Sequence, residues 1–368
     1  MHIPMSSPDL TEAEIAAVNA VLRTPQLSMG PRIDEFERAV ADFLGARHAV
    51  GVSSGTTGLH LAVIAAGIEQ GDEVITTPFS FVASANCILY ERAQPVFVDI
   101  DPQTLNIDPA RIEAAVTPRT RAILTVDVFG QPADYDPIRQ IAGRHGLTII
   151  EDACEAIGAE YQDRKAGTLG DVAVFGFYPN KQMTTAEGGV IVTDRQDWNT
   201  LFRSLRNQGR DESGTWLNHV RLGYNYRLNE LSAALGLAQM KRIQELLDRR
   251  ARVAHMYNER LRGVEGVSVP YVAATTTKMS WFVYVIRLAP EIDRDAVMAH
   301  LHTQGIACRP YFTPIHLQPF YVDKFGYSPG DFPITEAVSA STLALPFHNH
   351  LDEATVDLIC QNLRQMLS

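Results

Sequence analysis

Residues 122–152, AILTVDVFGQPADYDPIRQIAGRHGLTIIED, decide the fold. The segment opens on an apolar, β-branched run, Ala122–Val128, that reads as a strand. Tyr135–His145 then shows helical spacing of apolar residues, and Leu147–Glu151 is a second apolar strand that ends at Asp152. Strands that are apolar on both faces and joined by a helix belong to a parallel sheet covered on each side. The same alternation extends outward. Upstream lie strands at Ala49–Val52, Glu73–Thr77 and Pro95–Val98, with helices at Thr56–Ala66, Ser84–Glu91 and Pro109–Val116. Downstream lie strands at Val172–Phe177 and Val190–Thr193. Thr11 and Glu14 form a capping box ahead of a first helix, and a second helix runs to Leu44. One long helical stretch, Asn229 to Leu261, reads as the bridge to a smaller unit with a strand at Ser280–Leu288 and helices at Asp293–Gln304 and Asp352–Met366. The expected fold is α/β. A large domain, residues 1–249, carries a mixed, mostly parallel sheet flanked by helices, and a small α+β domain occupies residues 250–368.

The composition bounds what such a fold can do. The chain has 368 residues, and 32 basic against 43 acidic side chains give a formal charge of −11. A binder of nucleic acid needs a basic stripe, so none is expected as a partner. The four cysteines are widely spaced, with no C-x-x-C pair, so neither a disulfide framework nor a metal site is expected. The start, MHIPMSSPDL, has no basic segment followed by an apolar stretch, and no window approaches the ~20 apolar residues of a membrane span. A cytoplasmic protein with no membrane association is expected.

Three motifs carry chemistry, and each alone has an ordinary alternative. Ser53-Ser54-Gly55-Thr56-Thr57-Gly58 lies between a strand and a helix. Small residues let backbone approach an anion, and the helix start offers unpaired N–H donors. A ligand-free turn of small residues fits as well. Asp152, in Glu151-Asp152-Ala153-Cys154-Glu155, stands at the carboxyl end of a strand, where ligands of open sheets gather. It can hold a cationic ring nitrogen or equally cap a helix. Lys181 sits beyond an apolar strand and ahead of Ala186-Glu187-Gly188-Gly189. A partly desolvated lysine there can act as an amine nucleophile and form a Schiff base, whereas most lysines are solvated. Together, a phosphate cradle, a carboxylate and a lysine, all at strand ends, have the chain order of one cofactor site.

These residues resemble the DegT/DnrJ/EryC1/StrS family of sugar aminotransferases, within the aspartate-aminotransferase-like, fold-type-I pyridoxal-phosphate enzymes. The resemblance runs through Gly30-Pro31 with Phe36-Glu37, the Ser53–Leu59 turn, Phe79–Ser84, Phe129–Asp134, Glu151–Ala156, Lys181–Gly189, Gly223–Arg227 and His316–Pro319. It implies that Lys181 is the Schiff-base lysine and proton shuttle, and that Asp152 binds the pyridine nitrogen. Gly55 and Thr56 would hold the phosphate, and Phe81 would stack on the ring. Glu155 would approach the ring hydroxyl, a position where the family often has Gln or His. Asn225 would reach the phosphate of the neighbouring subunit's cofactor, making a homodimer with a shared site. Arg227, Tyr311 and His316 are substrate-side candidates, Arg227 for the donor carboxylate or a diphosphate.

The implied reaction is ping-pong. Glutamate donates its amino group, the cofactor passes through its pyridoxamine phosphate form, and a nucleotide-linked keto-deoxysugar accepts. Such chemistry supplies amino sugars for surface polysaccharide or secondary metabolites. A sugar dehydratase, a cyclitol aminotransferase and a non-catalytic cofactor-binding regulator are the competing readings; some dehydrating relatives carry histidine where this chain has Lys181. One departure stands out. The family usually places a phosphate-binding serine where this chain has Gly176.

Overall fold

The computed structural model describes residues 2–211 and 218–367. Its centre is a seven-stranded sheet with the order His48–Val52, Gly189–Thr193, Val172–Gly176, Thr148–Asp152, Thr120–Val126, Glu73–Thr76, Gln94–Phe97. Gly189–Thr193 is antiparallel to both of its neighbours, and the remaining pairs are parallel. Period-two alternation divides each strand between two cores. Ala173 and Phe175 pack with Phe36 and Val40 of the helix Pro31–Leu44 on one face. Val172 and Val174 pack with Leu59 and Ala62 of the helix Gly55–Ala65 on the other. The expected strands and helices of residues 1–193 are present with ends shifted by a residue or two, except Pro109–Val116, which is α-helical only over Pro109–Ile112 and goes on as a 3₁₀ turn, Glu113–Ala115. The capping box forms as expected between Thr11 and Glu14.

The long bridge is two helices, Glu230–Met240 and Ile243–Leu261, where one was expected. Neither proline nor glycine marks the break. Instead Arg242 leaves the helical region (φ −123°, ψ 20°), and its guanidinium pairs with Asp9 at 3.1 Å, Glu14 at 3.3 Å and Glu245 at 3.2 Å. Glu230, at the start of the first of these helices, is buried and accepts N–H bonds from Gly30, Arg32 and Ile33. The helix Pro31–Leu44 has no side-chain cap of its own, so Glu230 satisfies its open donors from across the fold. A Cβ at Gly30 would sit 2.7 Å from the Glu230 carboxylate, which accounts for the glycine.

The second helix joins two cores. Ile243, Leu246 and Leu247 belong to the sheet core, whereas Val253, Ala254, Tyr257 and Leu261 belong to a core built on the antiparallel sheet Val267–Ser268, Tyr284–Leu288, Thr342–Leu345. Ile3 joins this second core and is tied to Gly305 and Ala307 by backbone bonds of 2.9 and 3.0 Å. Between the two sets lies Arg250, buried, donating to the carbonyls of Trp281 at 2.6 Å and Phe282 at 2.7 Å. Burial without a carboxylate partner in contact pulls its pKa down to about 10. No helix among the described residues is long and apolar enough to cross a membrane.

Candidate active site

The carboxyl ends of the parallel strands open into a cavity of about 500 Å³. Gly55, Thr56, Phe81, Asp152, Glu155, Lys181 and Tyr311 all line it. Each is delivered by a different local device. Asp152 is the last residue of its strand and is followed by a turn, so the helix-cap alternative does not hold. Its Oδ2 accepts a 2.6 Å bond from the Ser84 hydroxyl, itself 2.8 Å from Ser80, and its Oδ1 accepts from the Cys154 N–H at 3.2 Å. Gly55 starts its helix behind an Ser54–Thr57 capping box. The Thr57 hydroxyl donates to the Ser54 carbonyl at 2.8 Å and is taken up by that box, whereas Thr56 faces the cavity. A Cβ at Gly55 would lie 2.7 Å from the Cys154 sulfur and 3.3 Å from Gly176 Cα, so backbone meets backbone here.

Lys181 lies in the loop joining the antiparallel neighbours Val172–Gly176 and Gly189–Thr193. The loop is pinned at its neck by Phe177 N–H to Gly188 O and by Thr185 N–H to Phe177 O, each 3.0 Å. The Lys181 amine is 3.3 Å from Glu155 Oε1 and 3.8 Å from the centre of the Phe282 ring, with 15% of the side chain exposed. Burial raises the Glu155 carboxyl above its ordinary range; the Lys181 amine and the Phe129 N–H, 2.9 Å from Oε2, oppose that rise. Tyr311 is pushed up to about 12 by burial and by the charge of Glu155. Phe81 is 63% exposed and leaves a ring face open at the mouth.

Sequence reading missed the supports. Gln182, next to the lysine, is buried and donates to Glu155 O at 2.5 Å and Ser280 Oγ at 2.9 Å, so one amide ties three segments together. Ser80 and Ser84, four residues apart, place two hydroxyls on one side of a helix start. That spacing was a readable signal.

Three expected residues lie away from the cavity. Asn225 is exposed. Arg227 donates to Asn207 Oδ1 at 3.1 Å. His316 does not reach the cavity at all. Its ring is fully buried, 3.0 Å from Glu336 and edge-on to Phe332 at 4.7 Å, and burial pulls it below the usual histidine range. Its substrate-side role is therefore corrected to a packing role. Among the described residues lining the cavity, Lys181 is the one cation.

A mostly parallel sheet with an acid, a helix start and a desolvated lysine converging at its strand ends is the arrangement of the pyridoxal-phosphate aminotransferase class. The cavity fits that cofactor: the amine, the buried carboxylate, the glycine-tight helix start and the open aromatic face are each in place. The chain belongs to the DegT/DnrJ/EryC1/StrS aminotransferase family, whose model matches residues 8–364. It is 44% identical over 343 residues to GDP-perosamine synthase from Caulobacter vibrioides, covering 92% of this chain and 91% of that one. It is 35% identical to the UDP-2-acetamido-2-deoxy-3-oxo-D-glucuronate aminotransferase of Pseudomonas aeruginosa, covering 95% and 94%. Among solved structures, Spr1654 from Streptococcus pneumoniae in its PLP form superimposes with a TM-score of 0.94 at 28% identity, over 100% of this chain and 98% of that one.

Proposed function

We propose that this aminotransferase moves an amino group from glutamate to a keto-deoxysugar carried on a nucleotide, and so supplies amino sugars for polysaccharide or secondary metabolites. The observation that carries the reading is the convergence of Lys181, Asp152 and the helix start at Gly55 on one cavity. Two relatives named for GDP- and UDP-linked sugars support the acceptor class.

When bound, pyridoxal phosphate supplies an electron sink beside the carbon that bears the amino group. Lys181 would hold the cofactor through its amine, and its Nζ would carry the proton moved in the reaction. Asp152 keeps the ring nitrogen protonated. Its oxygens already accept two bonds, and an ionised carboxylate has about four acceptor sites, so capacity is left for this one. Gly55 and Thr56 bind the phosphate through N–H and hydroxyl donors. Phe81 would cover one face of the ring, and Glu155 would lie toward its hydroxyl. Tyr311, which lines the cavity, offers its hydroxyl as a donor to the sugar.

Asn225 and Arg227 serve the neighbouring subunit's site in a homodimer. Tyr224 and Tyr226 stack on each other at 4.9 Å, and strand-like alternation turns residues 225 and 227 the other way. In this reading residues 1–249 form the cofactor-binding domain, with Ile3 lent to the smaller domain of residues 250–368. The enzyme works in the cytoplasm, where its four free cysteines stay reduced.

The test is the visible spectrum of the purified protein titrated with glutamate, run beside Lys181→Ala. The wild type should show a cofactor band that bleaches as 2-oxoglutarate appears, and the variant should show neither the band nor turnover. A Lys181→Ala protein that still releases 2-oxoglutarate refutes the assignment.

A further inference from the structure

A second hollow, of about 610 Å³, adjoins the cavity and shares Ser80, Phe81 and Phe312 with it. A ligand that leaves the cavity past the exposed ring of Phe81 therefore enters this groove. Its far wall is the start of the helix Pro319–Phe325, where Phe320 is 56% exposed. The neighbouring Tyr321 is fully buried, packs edge-on to Phe320 at 5.5 Å and donates its hydroxyl to Asn86 Oδ1 at 2.8 Å. That bond fixes the amide of Asn86. With its oxygen engaged, the side chain presents its NH₂ group as a donor. Gln318, also on the wall, adds an amide that can both donate and accept.

Among the described residues, no lysine, arginine, aspartate or glutamate lines the groove. A diphosphate or an amino-acid carboxylate placed there would lose hydration with no cation to replace it, so neither suits the site. A flat, uncharged heteroaromatic ring does. It can stack on a phenylalanine face, and it carries ring carbonyl and N–H groups that two amides can read.

We propose that this groove is the nucleoside subsite: Phe320 stacks on the base of the sugar nucleotide, and Asn86 and Gln318 bind its edge. The proposal rests on the reading that the acceptor is nucleotide-linked. Asn86 presents a donor, so it pairs with an acceptor on the base edge, a ring carbonyl or a ring nitrogen.

The experiment is calorimetric titration of the cofactor-loaded enzyme with GDP, UDP, dTDP and ADP, for the wild type, Phe320→Ala and Phe320→Trp. The glutamate half-reaction is followed in parallel by the bleaching of the cofactor band. At least one of the four diphosphates should bind the wild type. Phe320→Ala should weaken that ligand about tenfold or more, the scale of one base–aromatic stack, and Phe320→Trp should restore it. The glutamate half-reaction, which needs no nucleotide, should stay within about twofold in both variants, since Phe320 lies outside the cavity. If a diphosphate binds wild type and Phe320→Ala equally, the groove assignment is overturned and the nucleotide-linked acceptor stands. If none binds the wild type, the acceptor reading falls and takes the groove with it. A Phe320→Ala enzyme slowed in the glutamate half-reaction also overturns the assignment, because the residue would then be shaping the cavity itself.

Discussion

Gly130→Ala should damage the site from outside it. Gly130 has φ +92°, and a Cβ there would lie 1.5 Å from the Ser280 carbonyl oxygen and 3.0 Å from that of Glu155. Real Cβ contacts essentially never fall below 3.0 Å, so the two backbones must separate by at least 1.5 Å (3.0 − 1.5). Ser280 donates to Gly130 O at 3.0 Å, receives Gln182 at 2.9 Å and donates to Ile157 O at 2.6 Å. Loss of three buried hydrogen bonds costs about 1 kcal/mol each, and alanine in the left-handed region adds about 1–2 kcal/mol. The expected loss is therefore about 4–5 kcal/mol, read as a lower urea midpoint at fixed protein concentration. Phe282, two residues beyond Ser280 and beneath the Lys181 amine, should move with the segment, so the variant should also bind pyridoxal phosphate more weakly. A Gly130→Ala protein within 1 kcal/mol of wild type and with unchanged cofactor affinity would refute the reasoning.

Gly176→Ser should tighten the cofactor. A Cβ there would meet the Cys154 sulfur at 3.4 Å and Gly55 Cα at 3.7 Å, both ordinary contacts. The added hydroxyl would stand beside the helix start, so the dissociation constant for pyridoxal phosphate should fall about tenfold, the worth of one hydrogen bond to a charged group; an unchanged constant would place the phosphate elsewhere. Stability should also fall with acid through His348. Among the described residues neither of its ring nitrogens has a partner, and burial pulls its pKa from 6.5 to about 4. The unfolded chain then binds a proton that the folded chain refuses, so stability drops as pH falls from about 6.5 to about 4, by up to ~3 kcal/mol. His348→Gln should flatten that part of a stability-against-pH curve, and an unaltered slope would clear the histidine of the effect.

How far the sequence could be read depended on periodicity. Val172–Gly176 and Thr148–Asp152 were legible because burial on both faces demands an unbroken apolar run. The reversed direction of Gly189–Thr193 was not, because a strand's sense leaves no mark on its residues. The break at Arg242 was hidden for a related reason: it is made by ion pairs to Asp9 and Glu14, more than 200 residues away in the chain. At the cavity, Lys181, Asp152 and Gly55 could be placed together from the sequence because each follows or starts a regular element. Tyr311 lies in an irregular stretch and His316 in a three-residue 3₁₀ turn, neither long enough to have a period that says which side chain turns inward. One lines the cavity and the other fills a hydrophobic cluster.

The reversed strand has a mechanical consequence. Parallel neighbours need a long crossover, but Val172–Gly176 and Gly189–Thr193 are antiparallel and can be joined by a short return. The Lys181 amine therefore rides on a bend whose two feet stand side by side as the second and third strands of the sheet. When substrate and product come and go, the load on residue 181 passes into both feet at once. The bend is also braced from the C-terminal side, where Gln182 donates to Ser280 and the Phe282 ring lies 3.8 Å from the Lys181 amine, so a shift of that layer is felt at residue 181.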